Sequence, residues 1–468
     1  MTWRSVRCRR FVFALAVSLL TFSAIAGIAS AANVVVGLSE DSGDVTVPTW
    51  LYLATGAGVV GASALLTMFV TDREFLEELH TRSVGVGQLP LERAVSLLGG
   101  TVGVLALVGL VYVGYMGPQG IGLTSATVLV TFVGVRAVLT TLAYTVGNPW
   151  PLLNPWRRIA DALPTLDSDY PSWLGSWPAV GALLLFVWIE VIAPVVSTPW
   201  LLTTIIVVYT VLTVGAAVVF SPTTWFERGD PLSIWFRLYG AVAPIQRTGD
   251  GLSLRWPGTR LHDDDVVTDL SVVAFILVLV WELTYSGFIV TPPGIWTVEI
   301  LVGIGLPAEL VYLVLLLAGY AFFCGMYWLA AGWTRARAQT YLSQRYLAIR
   351  YAPPLLAIAA GYHVAHYLGF SISLWPAFLS ALSAPLNPDP NPTQLALTSW
   401  FGYVEIAGIL IGHVLAVWIA HAISIELFPG KLQAIRSQYP FIIVMIFFTM
   451  LSLYLVSLPA MDPVYVPD

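Results

Sequence analysis

Long apolar stretches, separated by short loops that hold nearly all the positive charge, constrain this chain more than any other feature. A helix needs roughly 20 apolar residues to cross a hydrocarbon core of about 30 Å. Ten stretches qualify after the N-terminal segment, at about 49–70, 94–115, 124–146, 174–195, 199–220, 267–290, 306–333, 352–370, 400–427 and 437–459. Of the 468 residues, 57% are hydrophobic and only 10% charged, where a soluble domain carries about 25% charged. That excludes a soluble enzyme. The expected fold class is all-α, a polytopic membrane helix bundle with no soluble domain and residues 33–468 forming one integral membrane unit.

Arginine placement gives the expected topology, because cytoplasmic loops collect Lys and Arg while translocated loops do not. Loop 71–93 holds Arg73, Arg82 and Arg93, and loop 147–173 holds Arg157 and Arg158. Loop 221–266 holds Arg228, Arg237, Arg247, Arg255 and Arg260, loop 334–351 holds Arg335, Arg337, Arg345 and Arg350, and loop 428–436 holds Lys431 and Arg436. The intervening loops hold none. Residues 1–32 place Arg4, Arg7, Arg9 and Arg10 before an apolar run from Phe11 to Ile28 and the small-residue triplet Ala29-Ser30-Ala31. This is the form of a cleaved signal peptide, or of an uncleaved signal anchor. The expectation is a multi-pass protein of the cell membrane with both mature ends outside.

Charge and cysteine usage exclude other classes. Twenty-seven acids against 21 bases give a net charge of −6, and no basic surface suits nucleic acid. The two cysteines, Cys8 and Cys324, frame no disulfide. Lys431 is the only lysine, a bias that with the acidic balance suggests a high-salt, halophilic host. The longest loop, 221–266, is too short for an independent domain, and its Ile245–Trp256 stretch predicts a hairpin around Gly249-Asp250-Gly251. His262 with Asp263, Asp264 and Asp265 could ligate a cation, although an acidic run ahead of a helix is more often a solvated N-terminal cap. The repeat Asn148-Pro-Trp150 and Asn154-Pro-Trp156 predicts turns with interfacial tryptophans. The short apolar stretch Ser371–Leu382 predicts an interfacial or re-entrant helix, and 174–220 predicts a tight hairpin or one broken pair.

Ionisable residues inside spans point to function, since each costs about 2.5 kcal/mol or more in hydrocarbon. They are His363, His366, His413 and His421, the acids Glu190, Glu282, Glu309 and Glu405, and Arg136. At 1.5 Å per residue, His366, Glu190, Glu405, His363, Glu282 and Glu309 lie about 5 to 12 Å from the outer surface. His413 falls near 20 Å and His421 near 32 Å, which makes His421 interfacial. His363 and His366 share a helix face, and Glu405 and His413 share a stripe on the next helix. Two imidazoles with a carboxylate at a similar level suit a divalent metal, Zn²⁺ being the commonest occupant. His363, His366 and His413 would then be ligands, and Glu405 and Glu282 acid/base groups acting on a metal-activated water. The same side chains also serve as interhelical hydrogen-bond glue, and the descending series Glu405, His413, His421 reads equally as a proton relay. Arg136, near mid-span, requires a partner, with Glu282 or Glu190 the candidates.

Several stretches together resemble a bacterial and archaeal multi-pass membrane family described as fenitrothion hydrolase-like. They are Val47-Pro-Thr-Trp50, Asn154-Pro-Trp-Arg157, Trp188-Ile-Glu190, Phe226 to Trp235, Ala243-Pro244 with Gly249-Asp-Gly251, Ala365-His-Tyr367, Gly412-His-Val414, Ala420-His421, and Arg436 to Pro440 with Thr449 and Leu453. The resemblance implies a membrane-embedded, metal-assisted phosphotriester hydrolase, with His366 and His413 on the family's histidine-bearing helices. Two positions depart from the family pattern: Ala32-Asn33-Val34 stands where a histidine is usual, and Ala422 where an aspartate is usual. Three readings of function therefore stand: a metal-dependent hydrolase with an outward-facing site, a cation, proton or metal transport protein using the same residues, and a non-catalytic assembly factor. The expected partners are membrane lipid and a small-molecule substrate or cation, and the sequence leaves any partner subunit undetermined.

Overall fold

The computed structural model describes residues 49–87, 92–248, 251–398 and 400–466. The signal segment 1–32 and the hairpin tip Gly249-Asp250 lie outside the described residues. Ten long helices run through the bundle: α1 (Thr49–Thr67), α2 (Glu92–Met116), α3 (Ala126–Thr145), α4 (Trp177–Ile192), α5 (Pro199–Phe220), α6 (Leu270–Ile289), α7 (Ala308–Ala338), α8 (Pro353–Ser373), α9 (Phe401–Leu427) and α10 (Lys431–Val456). Among the described residues nine of them, α2 to α10, are long and apolar enough to cross a membrane, α4 together with the turn before it (Ser172–Ile192), while the apolar part of α1, Gly56–Thr67, is shorter. The chain is an all-α polytopic membrane bundle.

Local chemistry sets the ends of these helices. Proline opens α5 and α8, where its missing N–H costs nothing. Asp269 caps α6 by accepting from the backbone N–H groups of Ser271 (2.7 Å) and Val272 (3.3 Å). α6 is apolar all round and buried along almost its whole length, as a helix with no polar face must be if protein surrounds it. It packs against α4, α7, α8 and α10. Helices α2 and α5 are equally apolar but largely exposed, so their free faces meet lipid. The most extensive helix contact joins α8 and α9. There, a Cβ on Gly361 would come within 2.5 Å of the Gly408 carbonyl oxygen, and one on Gly412 within 2.6 Å of the Ala357 carbonyl oxygen. Glycine is what lets the two backbones touch.

The arginine-bearing loops converge at one end of the bundle. β1 (Ser83–Gly87) pairs antiparallel with β3 (Gly251–Arg255), which pairs with β2 (Ile245–Thr248), so the expected hairpin forms and captures a strand from loop 71–93. The Ile245 N–H donates to the Val146 carbonyl (3.0 Å), and Gln433 Nε2 donates to the Ala338 carbonyl (2.7 Å).

Four details differ from the sequence expectations. A 12-residue helix, Pro292–Gly303, occupies what reads as a loop between α6 and α7; at about 18 Å it cannot cross. α8 runs on to Ser373, and only Trp375–Ser383 forms the separate short helix. Trp150 and Trp156 are buried, not interfacial: the Trp150 indole N–H donates to Ser233 (3.3 Å) and its ring stacks on Phe236, both on the short helix Pro231–Gly240, while the Trp156 indole N–H donates to Thr210 of α5 (2.8 Å). Asp263, Asp264 and Asp265 do not cap α6, a task that falls to Asp269. Instead Asp263 binds Arg255 (3.1 Å) and Arg260 (2.7 Å), Asp265 binds Arg260 (2.5 Å), and Asp264 pairs with Arg350. Hydrogen bonding to Arg260 holds the Asp265 carboxyl below its ordinary range.

Candidate functional site

Arg136 sits in the middle of α3, and an unpaired guanidinium there would be prohibitively costly. Two carboxylates from two other helices meet it. Glu190, near the end of α4, pairs with one terminal nitrogen, and Glu282 of α6 pairs with the other at 2.8 Å. The guanidinium also lies over the Tyr367 ring of α8, 5.3 Å from its centre. Glu282 is 1% exposed and its Oε1 has no hydrogen-bond partner; Arg136 Nε has none either.

The backbone around Arg136 is unusual, because α3 is π-helical over Val130–Leu139. The Thr140 N–H, which in a regular α-helix would bond the Arg136 carbonyl, bonds the Ala137 carbonyl instead. The Arg136 carbonyl accepts from His363 Nε2–H at 2.9 Å. That bond fixes the tautomer, so His363 Nδ1 is an acceptor, and the Tyr144 hydroxyl donates to it at 3.2 Å. The rings of Tyr144, Tyr239 and Tyr367 enclose the imidazole, with centroids 5.5, 5.7 and 4.5 Å away.

The remaining histidines are placed differently from the sequence expectation. His366 stacks beside Tyr362 (6.2 Å), and His413 meets the other side of Tyr362 edge-on (5.9 Å). His413 Nδ1–H donates to the Ile409 carbonyl (2.8 Å), and the Thr449 hydroxyl of α10 contacts Nε2 (2.6 Å). His421 is fully buried toward the C-terminal end of α9, where it bridges the Val70 carbonyl (2.7 Å), at the edge of loop 71–93, and Gln438 Oε1 (3.2 Å). Glu405 is buried on α9. Glu309 is exposed in the first turn of α7, where only its carbonyl is engaged, by Trp188 Nε1 (3.0 Å). Among the described residues, no group of three His, Cys, Asp or Glu side chains is placed to hold a metal ion. For His363 or His413 to ligate Zn²⁺, a ring nitrogen would first have to give up one of the bonds above. Glu282, expected both as an acid/base group and as a candidate partner of Arg136, pairs with Arg136.

Arg136, Glu190 and Glu282 lie in the wall of a cavity of about 250 Å³ bounded by α2 to α6 and the helix Pro231–Gly240. Its other walls are almost wholly apolar and rich in aromatic side chains. Beside it, the buried Asp230 caps Pro231–Gly240 and accepts from Tyr209, Thr213 (3.0 Å) and the Ser233 N–H (2.7 Å). Burial pushes the Asp230 carboxyl above its ordinary value. Sequence reasoning missed Tyr144, Tyr239, Tyr367 and Thr449 as parts of these sites. Tyr367, four residues after His363, was within reach of a spacing argument.

Comparison with known proteins finds no matching family model, no matching curated protein and no matching solved structure.

Proposed function

We propose that the protein is a membrane transport protein that binds and passes protons or monovalent cations at the Arg136–Glu190–Glu282 centre. One observation carries this reading: a single guanidinium faces two carboxylates deep among apolar helices, at the wall of a cavity. With both carboxylates ionised the group holds one uncompensated negative charge, which hydrocarbon does not tolerate. A proton or a cation must balance it, and exchange of that counter-charge is the elementary step of transport. The buried Glu405, His413 and His421 on α9, with Thr449 and Gln438 of α10 bonded to the two histidines, support the same class of function.

Metal-assisted hydrolysis, which the family resemblance implies, would require His363 or His413 to surrender a hydrogen bond, so transport is the better-supported reading. The arginine distribution supports an orientation in the cell membrane with the β1–β3–β2 end in the cytoplasm. Proteoliposomes loaded with a pH-sensitive dye test the proposal. An imposed pH gradient should collapse faster with the wild-type protein than with Glu282→Gln; collapse no faster than in protein-free liposomes rejects it.

A further inference from the structure

The centre has a counter-charge to bind, and the cavity around it defines what else can deliver one. Six aromatic side chains, Phe132, Trp156, Phe186, Tyr209, Trp235 and Phe236, contribute to its walls. Aromatic faces attract cations, most strongly where water is excluded. Among the described lining residues Arg136 is the only base, and it is outnumbered by Glu190 and Glu282. An anionic ligand would add to an existing excess of negative charge, whereas a cation removes it. Glu190 and Glu282 both stand in the cavity wall, Glu190 the more exposed of the two, and their oxygens are acceptors, so the best-matched cation carries an N–H donor. The cavity's size, about 250 Å³, is just below the range of ordinary ligand sites, about 300–1,000 Å³; it suits one aromatic ring and a short chain, not a lipid.

From this we infer that the cavity is a binding site for an arylalkylammonium cation, its ammonium group set against the Glu190–Glu282 carboxylate pair and its ring held among Trp156, Phe186 and Trp235. The inference rests on the transport reading in treating the Arg136 centre as a cation site, and it names the organic substrate class. No covalent step is involved: the ammonium takes the place that a proton on the carboxylate pair would otherwise fill.

Calorimetric titration of the detergent-solubilised full chain with 2-phenylethylammonium tests it, with empty micelles as the partition control. Saturable binding is expected, at least tenfold tighter than that of the neutral, similarly shaped 2-phenylethanol and of benzyltrimethylammonium, which has no N–H donor. Glu282→Gln should weaken it about tenfold. Thr131→Trp, which projects an indole from a half-buried wall position, should abolish binding with the carboxylates intact, and a melting curve establishes that each variant is folded. Equal affinity for the amine and the alcohol, or undiminished binding by folded Thr131→Trp, overturns the inference. Proton-gradient collapse without amine binding would refute the inference and leave the transport reading standing. Amine binding without gradient collapse would do the reverse.

Discussion

Replacing Arg136 with glutamine removes the only cation from a site that holds two carboxylates. At the 2.8 Å separation of Arg136 and Glu282, the Coulomb attraction in an effective dielectric of about 20 is roughly 6 kcal/mol. Desolvation of the charges offsets much of that, and breaking such a buried pair costs about 3–5 kcal/mol. The loss of the contact with the Tyr367 ring adds about 1 kcal/mol. Glu282→Gln is the informative contrast. It leaves Arg136 matched one-to-one with Glu190, and the amide oxygen can still accept from the guanidinium, so its cost should be near 1 kcal/mol. Removing both carboxylates in Glu190→Gln/Glu282→Gln strands the guanidinium and should again cost about 3–5 kcal/mol. Reversible unfolding in mixed micelles by titration with dodecyl sulfate, followed by circular dichroism, measures all three. The reasoning is refuted if Arg136→Gln falls within about 1 kcal/mol of wild type, or if Glu282→Gln is as damaging as Arg136→Gln.

Three further outcomes follow from other parts of the bundle. Gly412→Ala places a methyl group 2.6 Å from the Ala357 carbonyl oxygen and 3.0 Å from the Gly361 Cα, so α8 and α9 must separate; a loss of about 1–3 kcal/mol in the same unfolding assay is expected. Thr449→Val deprives the buried His413 Nε2 of its hydroxyl partner and should cost about 1–3 kcal/mol, whereas Thr449→Ser, which keeps the hydroxyl, should cost clearly less. His80, on the short helix Arg73–Thr81 outside the spans, has its pKa lowered by burial below the ordinary 6.5. The unfolded chain therefore takes up a proton at a higher pH than the folded one, and this stabilising contribution is complete above 6.5 and lost as pH falls below it. Stability measured against pH should decline less steeply below 6.5 in His80→Gln, and an unchanged slope would contradict the assignment.

The spans were legible because hydrophobic length is a local property: each run of apolar residues declares its helix without reference to its neighbours. The Arg136 partnership was half legible for a similar reason, since a mid-span guanidinium demands a carboxylate and few were at hand. What sequence could not supply was that Glu190 and Glu282 bind at once, because that depends on how α4 and α6 turn toward α3. The π-helical stretch Val130–Leu139 contains no proline, yet the Arg136 carbonyl within it is the group that accepts from His363. The histidine cluster misled for a related reason. Residues three apart differ by about 60° around a helix, which is enough for one to reach α3 and the other to keep to a different neighbour. His363 and His366 do so: one bonds Arg136 and Tyr144, while the other shares Tyr362 with His413. Spacing along one helix identifies a common stripe, but a binding site needs a common point, and the crossing of the neighbouring helices sets that point. The same holds for Trp150, which packs on Phe236 and donates to Ser233 only because Pro231–Gly240 returns to the bundle. In a membrane protein of this kind, composition therefore determines the scaffold, while the chemistry is determined by the few interhelical contacts that a buried charge makes obligatory.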